Sequence, residues 1–183
     1  MAKATYQEEV DYLCQNEFRN NFIKNLAESL EGNTLVLYQY VEKHGKVLLE
    51  LMRDSKKPVH FISGAIDGES REEIRKLVNE SKSSTLLASK GTTSTGVNIV
   101  NLNDLIFASP SKSKIQTLQS VGRTIRASET KNSATLYDIA DDLQYKKNKN
   151  YTLDHFLERA KIYDSEKFSY KIYTVTVKDT IDE

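Results

Sequence analysis

The chain has a single cysteine, Cys14, so no disulfide can close within it, and a reducing compartment is the default expectation. It has no net charge, because 26 Lys and Arg balance 26 Asp and Glu. A neutral chain projects no bulk field toward nucleic acid or a membrane, so any anion it binds must be met by local clusters. Histidine is scarce, and His44, His60 and His155 stand far apart, which argues against a metal site built on them. Long apolar runs are missing too. No stretch approaches the roughly 20 residues that span a bilayer, and the opening MAKATYQEEV has no apolar signal region, so no membrane partner is expected. There is no internal repeat and no low-complexity tract. What is present is ordinary for a globular protein: 183 residues, 38% apolar and 28% charged, enough for one domain with a real core.

Periodicity organises the chain into alternating elements. Phe22, Ile23, Leu26, Ala27 and Leu30 form a helical stripe, while Val10 and Leu13 drift off it, so a break is expected near Gln15–Asn16. TLVLYQY follows as a strand, then a helix marked by Val41, His44, Leu48, Leu51 and Met52, then the strand VHFIS. Ser70–Glu73, SREE, reads as a capping box opening a helix that carries Ile74, Leu77 and Val78. TLLAS, DLIFAS and ATLYDI are further strands, with a helix from about Lys112 to Ala127 between the last two. After Asp142 come a polar, basic loop, QYKKNKN, a helix, YTLDHFLERAKIY, and a final strand, FSYKIYTVTV. The expected organisation is a helical lead-in over residues 1–30, a core over 31–142, and a loop, helix and strand extension over 143–183.

Strands apolar on both faces, alternating with amphipathic helices, imply an α/β fold: a three-layer α/β/α arrangement around a mainly parallel sheet. Ligands of such sheets gather at the carboxyl ends of the strands. That rule nominates Gln39, Ser63–Gly64, Ser89–Gly96, Ser109–Pro110 and Asp138.

The segment LQSVGRTIR concentrates the chemistry. At about 100° per residue, Gln119, Gly122, Arg123 and Arg126 share one helix face, and Leu118, Val121 and Ile125 share another. One side packs on the sheet, and the other presents two guanidiniums and an amide. Gly122 weakens a helix by about 1 kcal/mol against alanine, and its lack of a side chain lets another body come close.

GTTSTGVN begins like a phosphate-binding P-loop, but Val97–Asn98 stands where the Lys-Ser/Thr pair is required. No other segment supplies a P-loop. ATLYDIADD superficially matches a Walker B strand, yet Ile139 follows Asp138, and a structural aspartate at a strand end is the preferred reading. What remains in ASKGTTSTGVNI is a loop of small hydroxyls and backbone amides, suited to phosphate oxygens without reading sequence.

Taken together and in order, TLVLYQYVEKHG, HFISGAIDGESREEIR, LLASKGTTSTGVNI and LQSVGRTIRA resemble the second, RecA-like lobe of superfamily-two helicases. Gln119–Arg126 matches the sixth helicase motif, the loop ending in Gly96–Asn98 the fifth, and Gln39–Tyr40 lie where the fourth sits. The stretch from Ser94 to Arg126 and the tail YDSEKFSYKIYTV are most similar to the phage recombination and repair helicases. The likeness runs from about Tyr6 to Val175. Two features depart from the pattern: Asn98 replaces the usual aspartate, and both Ser89 and Thr92 fit the expected hydroxyl position.

The resemblance implies an ATP-dependent DNA helicase whose ATP lies between two lobes. The P-loop and the Mg2+ ligands would belong to an N-terminal RecA-like lobe of the same protein. This lobe would supply Arg126 as arginine finger, Arg123 beside it on the same phosphate, and Gln119 toward the phosphate or attacking water, with Gly96, Asn98 and Gly122 lining the nucleotide. Gln39, Ser63, Gly64, Ser89 and Thr92 would hold the backbone of single-stranded or branched DNA, with charge added by Lys112, Lys114 and the basic loop. The implied location is the cytoplasm, that of the host if the chain is phage-encoded. The alternative is a non-catalytic RecA-like module that binds nucleic acid or a partner. A nucleotide-dependent transferase would need a glycine-rich first turn, which EGNTLVLYQY lacks.

Overall fold

Two caps start the chain. In the computed structural model, which describes residues 4–94, 101–109, 135–144 and 150–176, the Glu8 amide donates to Thr5 Oγ1 at 3.3 Å and the Thr5 amide donates to the Glu8 carboxylate at 2.7 Å. This reciprocal box opens α1, Tyr6–Gln15. Asn16 ends α1 and caps α2, Glu17–Ser29, by accepting the Arg19 amide at 2.9 Å. The expected break is therefore one residue wide. Gly32 then turns the chain at φ +82°, where a Cβ would lie 2.5 Å from Asn103 Cγ.

Five strands follow: β1 Thr34–Tyr38, β2 Val59–Ile62, β3 Thr85–Ser89, β4 Asp104–Phe107 and β5 Thr135–Asp138. Between them lie a π-helical turn, Val41–Gly45, continuing into α3, Lys46–Leu51; α4, Gly68–Glu80; and the short α5, Lys90–Ser94. α6, Tyr151–Ser165, comes last. The strands form one parallel sheet in the order β2-β3-β1-β4-β5.

β1 is buried along its whole length, and its side chains alternate between two cores. Leu35 and Leu37 join Leu86, Ala88, Leu105 and Phe107 under Val78 and Ile74 of α4. Val36 and Tyr38 join Leu87 and Ile106 under Ile23 and Ala27 of α2 and Leu48 of α3. Each fully buried aliphatic side chain contributes about 1.5–3 kcal/mol. The result is the expected three-layer α/β/α arrangement around a parallel sheet. Gly45 sits where a Cβ would meet the Tyr38 ring at 2.5 Å, so the π-helical turn lies directly on β1.

Buried polar groups lock the ends of the layers. At the amino edge of the sheet, Asn33 Nδ2 lies 3.0, 3.0 and 2.9 Å from the carbonyls of Val78, Ser81 and Asn101, and its Oδ1 accepts from Ser84 Oγ at 2.8 Å. Glu9 of α1 receives the amides of Tyr151 and Thr152 at 2.9 and 2.7 Å and Asn150 Nδ2 at 3.0 Å, so it caps α6 from another helix. Arg19 Nε pairs with Asp141 Oδ1 at 2.8 Å, tying α2 to the segment after β5.

Two expectations are corrected. The cap of helix α4 lies three residues before Ser70: Asp67 is the N-cap, accepting the Ser70 amide and hydroxyl, both at 2.9 Å. Aspartate caps as well as serine does, and Gly68 enters the first turn without hindrance. The final strand is absent from the described part of the tail, because residues 168–176 join no ladder among the described residues. Instead α6 ends in a left-handed cap at Lys167, φ 56°, with Phe168 N donating to Tyr163 O at 2.9 Å and Lys167 N to Asp164 O at 3.1 Å. The Tyr163 and Phe168 rings meet edge to face at 6.4 Å. That cap turns the segment back onto its helix. β-branched and aromatic composition measures fit to a half-buried sheet surface, and here Phe168 and Tyr170 meet the helix instead while Ile172, Tyr173 and Val175 stay exposed.

Candidate nucleic-acid interface

The parallel register delivers every strand's carboxyl end to one edge. Ile62, Ala88, Leu37, Phe107 and Asp138 form one row across the sheet. Just beyond that row lie Ser63 after β2, Ser89 closing β3, and Gln39 after β1. Adjacent strands stand about 4.8 Å apart, so these residues follow one another across three neighbouring strand ends. Gln39 is exposed, and Ser63 and Ser89 are buried up to the rim. Gly64 is exposed, and a Cβ there would meet nothing within 4 Å. Ser89 and Thr92 share a short hydrogen bond between their hydroxyls, across the first turn of α5. The two residues that both fit the expected hydroxyl position are thus a single unit.

Behind the rim, the side chains are neutral and tightly held. The Gln39 amide donates to Ser109 Oγ at 2.8 Å, and that oxygen lies 3.0 Å from His44 Nδ1. His44 Nε2 lies 3.2 Å from Asn20 Oδ1. Burial, with a contribution from the Arg19 charge, holds the His44 pKa down to about 3. Tyr38 Oη donates to Ile62 O at 2.9 Å, and burial pushes its pKa up. Burial raises the Cys14 thiol to about 11, leaving it protonated and inert.

Asp138 is the structural aspartate the sequence suggests. It takes Arg159 Nε at 2.6 Å and Nη2 at 2.9 Å, and Tyr163 Oη at 2.6 Å. This buried pair fastens α6 to β5. Lys90, at the start of α5, is a cation at the rim that the sequence reading does not single out; burial and then the Arg159 charge lower its pKa. Its signal was present, a lysine directly after a strand in a hydroxyl loop. His44 and Ser109 gave no comparable signal as partners. Gly96, Asn98, Gln119, Gly122, Arg123 and Arg126 lie outside the described residues, as do Lys112, Lys114 and most of the basic loop. No helix among the described residues is long and apolar enough to cross a membrane.

A family model, the helicase conserved C-terminal domain, matches residues 17–128. The chain belongs to that family. Its sequence is 34% identical over 186 residues to the ATP-dependent DNA helicase uvsW of Enterobacteria phage T4, an alignment covering 94% of this chain and 37% of that protein. The chain therefore spans little more than a third of the length of that relative. The crystal structure of T4 UvsW superposes with a TM-score of 0.81 over the same shares. More distant solved structures share the fold alone. The C-terminal domain of the DEAD-box protein Dbp5 gives a TM-score of 0.62 at 14% identity, covering 84% of this chain and 82% of that one. The E. coli DEAD-box protein SrmB gives 0.56 at 18%, covering 67% and 71%. The helicase C-terminal domain is thus a UvsW-related, RecA-like lobe, in line with the resemblance read from its motifs.

Proposed function

We propose that this lobe is the second motor half of an ATP-dependent DNA helicase or translocase of the recombination, repair or branch-migration type. The supporting observation is the row of Gln39, Ser63–Gly64 and Ser89–Thr92 along one sheet edge, in a chain of the helicase C-terminal family. Amides and hydroxyls contact phosphate oxygens without reading bases, and an open Gly64 lets a backbone approach. This is how a chain with no net charge holds a polyanion.

In this reading the ATP site is divided between lobes. Gly96, Asn98 and Gly122 line the nucleotide, and Gln119 orients a phosphate oxygen or the attacking water. Arg123 and Arg126 reach the γ-phosphate, where charge spreads over the oxygens during transfer; such fingers are worth on the order of 10³–10⁵ in rate. The N-terminal RecA-like lobe supplies the P-loop and the Mg2+ ligands. Among the described residues no cluster of three His, Cys, Asp or Glu is placed to hold a metal, and both Asp138 oxygens are engaged by Arg159 and Tyr163. Alternating closure on nucleotide then shifts the grip on single-stranded or branched DNA in the cytoplasm.

Two measurements test this. The 183-residue chain with Mg2+, ATP and single-stranded DNA is expected to show no turnover, and measurable hydrolysis refutes the divided site. In a two-lobe protein carrying this lobe, Arg126→Ala is expected to leave folding intact and to slow turnover by about a hundredfold or more. Near-native turnover moves the finger elsewhere, and no stimulation by DNA in the unaltered two-lobe protein favours the non-catalytic binding module.

A further inference from the structure

The main-chain ladder between β1 and β4 reaches as far as Ala108 N donating to Leu37 O at 3.0 Å. One residue further, a side chain takes over. The Gln39 amide donates to Ser109 Oγ at 2.8 Å, and Ser109 meets His44 Nδ1 at 3.0 Å. His44 Nε2 faces Asn20 Oδ1 at 3.2 Å, while Asn20 Nδ2 is committed to the Cys14 carbonyl at 2.9 Å.

Only one arrangement of protons satisfies this chain. The Cys14 carbonyl requires the amide nitrogen of Asn20 on its side, which turns the amide oxygen toward His44. An amide oxygen only accepts, so Nε2 carries the imidazole proton. A neutral ring then accepts at Nδ1, and the Ser109 hydroxyl must donate to it. The serine oxygen is left with its lone pairs for the Gln39 amide. His44 is 0%, Asn20 2% and Ser109 4% exposed, so water cannot substitute at any link. A purely apolar residue at position 44 would fill the core but leave the Ser109 hydroxyl free to rotate.

We propose that His44 is a positioning residue for the nucleic-acid grip: acting through Ser109, it fixes the main chain at Gln39 in the attitude that meets a backbone phosphate. This rests on the grip proposed above. Gln39 is well suited to such control, because its side chain is exposed while its amide is anchored across β1 and β4 by a single hydroxyl.

The test compares Ser109→Ala, His44→Asn and His44→Gln in the full chain. Asparagine places its amide oxygen two bonds from Cβ, as Nδ1 is in histidine, and so restores the acceptor for Ser109. Glutamine places its amide nitrogen at the reach of Nε2 and leaves the Nδ1 position empty. Hydrogen exchange at the Gln39 amide reads the relay without any ligand, and anisotropy with labelled oligo-dT at fixed low salt reads the grip. Ser109→Ala and His44→Gln are expected to speed Gln39 exchange about tenfold, the worth of one buried hydrogen bond, and to weaken oligo-dT binding severalfold. His44→Asn is expected to bring both back to within about twofold of native. A merely structural histidine would instead lower the melting point of both His44 variants without singling out Gln39. Gln39 exchange unchanged by Ser109→Ala, or His44→Asn no better than His44→Gln, overturns the proposal. A native chain that ignores oligo-dT overturns the grip itself, and the Gln39 exchange pattern distinguishes that outcome from failure of the relay.

Discussion

Replacing Glu9 with alanine should unfasten α6 from α1. The Glu9 carboxylate is 7% exposed and receives three donors: the amides of Tyr151 and Thr152 and the side chain of Asn150. Truncation leaves three donors without that partner at about 1 kcal/mol each, and removes a negative charge from a helix N-terminus, a further ~0.5 kcal/mol; relief of burying the charge offsets part of the sum. The expected loss is about 3 kcal/mol, or roughly 6–12 °C in the melting midpoint of a domain of this size. Burial alone would raise the Glu9 pKa, but its hydrogen bonds to Asn150, Thr152 and Tyr151 outweigh it and hold the pKa below 4.5. A depressed folded-state pKa contributes stability that is present above the unfolded value and is lost as pH falls through the folded one. Urea titrations of native protein and Glu9→Gln between pH 7 and 3 should therefore converge at the acid end. An alanine variant melting within 2 °C of native, or native and glutamine curves that stay parallel on acidification, would refute the clasp.

Three further outcomes follow from the same geometry. Asp138→Asn leaves the 3%-exposed Arg159 without its counter-charge, and urea unfolding should show a loss of about 3–5 kcal/mol; an unchanged midpoint would refute its structural role. Lys167→Gly relieves a left-handed residue at φ 56° and should raise stability by up to about 1 kcal/mol, with thermal melts showing no gain if the cap is unstrained. Asp67→Ala should cost about 1 kcal/mol and Ser70→Ala clearly less, and the reverse order in chemical denaturation would restore Ser70 as the cap of α4.

The sheet was legible because Leu35, Val36 and Leu37 are apolar in succession, as a strand covered on both faces must be. The same rule placed Gln39, Ser63 and Ser89 at strand ends. The order of strands was not legible, since periodicity reports which face is apolar and not which strand lies alongside. The choice between Ser89 and Thr92 had no answer in sequence, because their hydroxyls bond to each other. Thr5-x-x-Glu8 carries the same capping signature as Ser70-x-x-Glu73, and only the former forms the reciprocal cap. Local spacing does not reveal that Asp67 has already opened the helix and accepts the Ser70 amide. His44 fitted its helical stripe, but its partners come from α2 and from the end of β4, far away in sequence. The tail failed as a strand because a helix cap captured its first aromatic residues.

The central place of β1 also governs how the lobe comes into being. It is the first strand of this sheet to be made, yet its two neighbours are β3 and β4, and neither exists until residues 85–89 and then 104–107 have been made. Until then its backbone donors and acceptors have no ladder, and Leu35, Val36 and Leu37 lack the flanking side chains Leu86, Leu87, Leu105 and Ile106. Parallel pairing across such intervals makes loop closure, not local helix formation, the slow event in folding. A nascent chain stalled before Asp104 would expose one side of β1 as a sticky edge, and its collapse onto other chains would compete with its own completion.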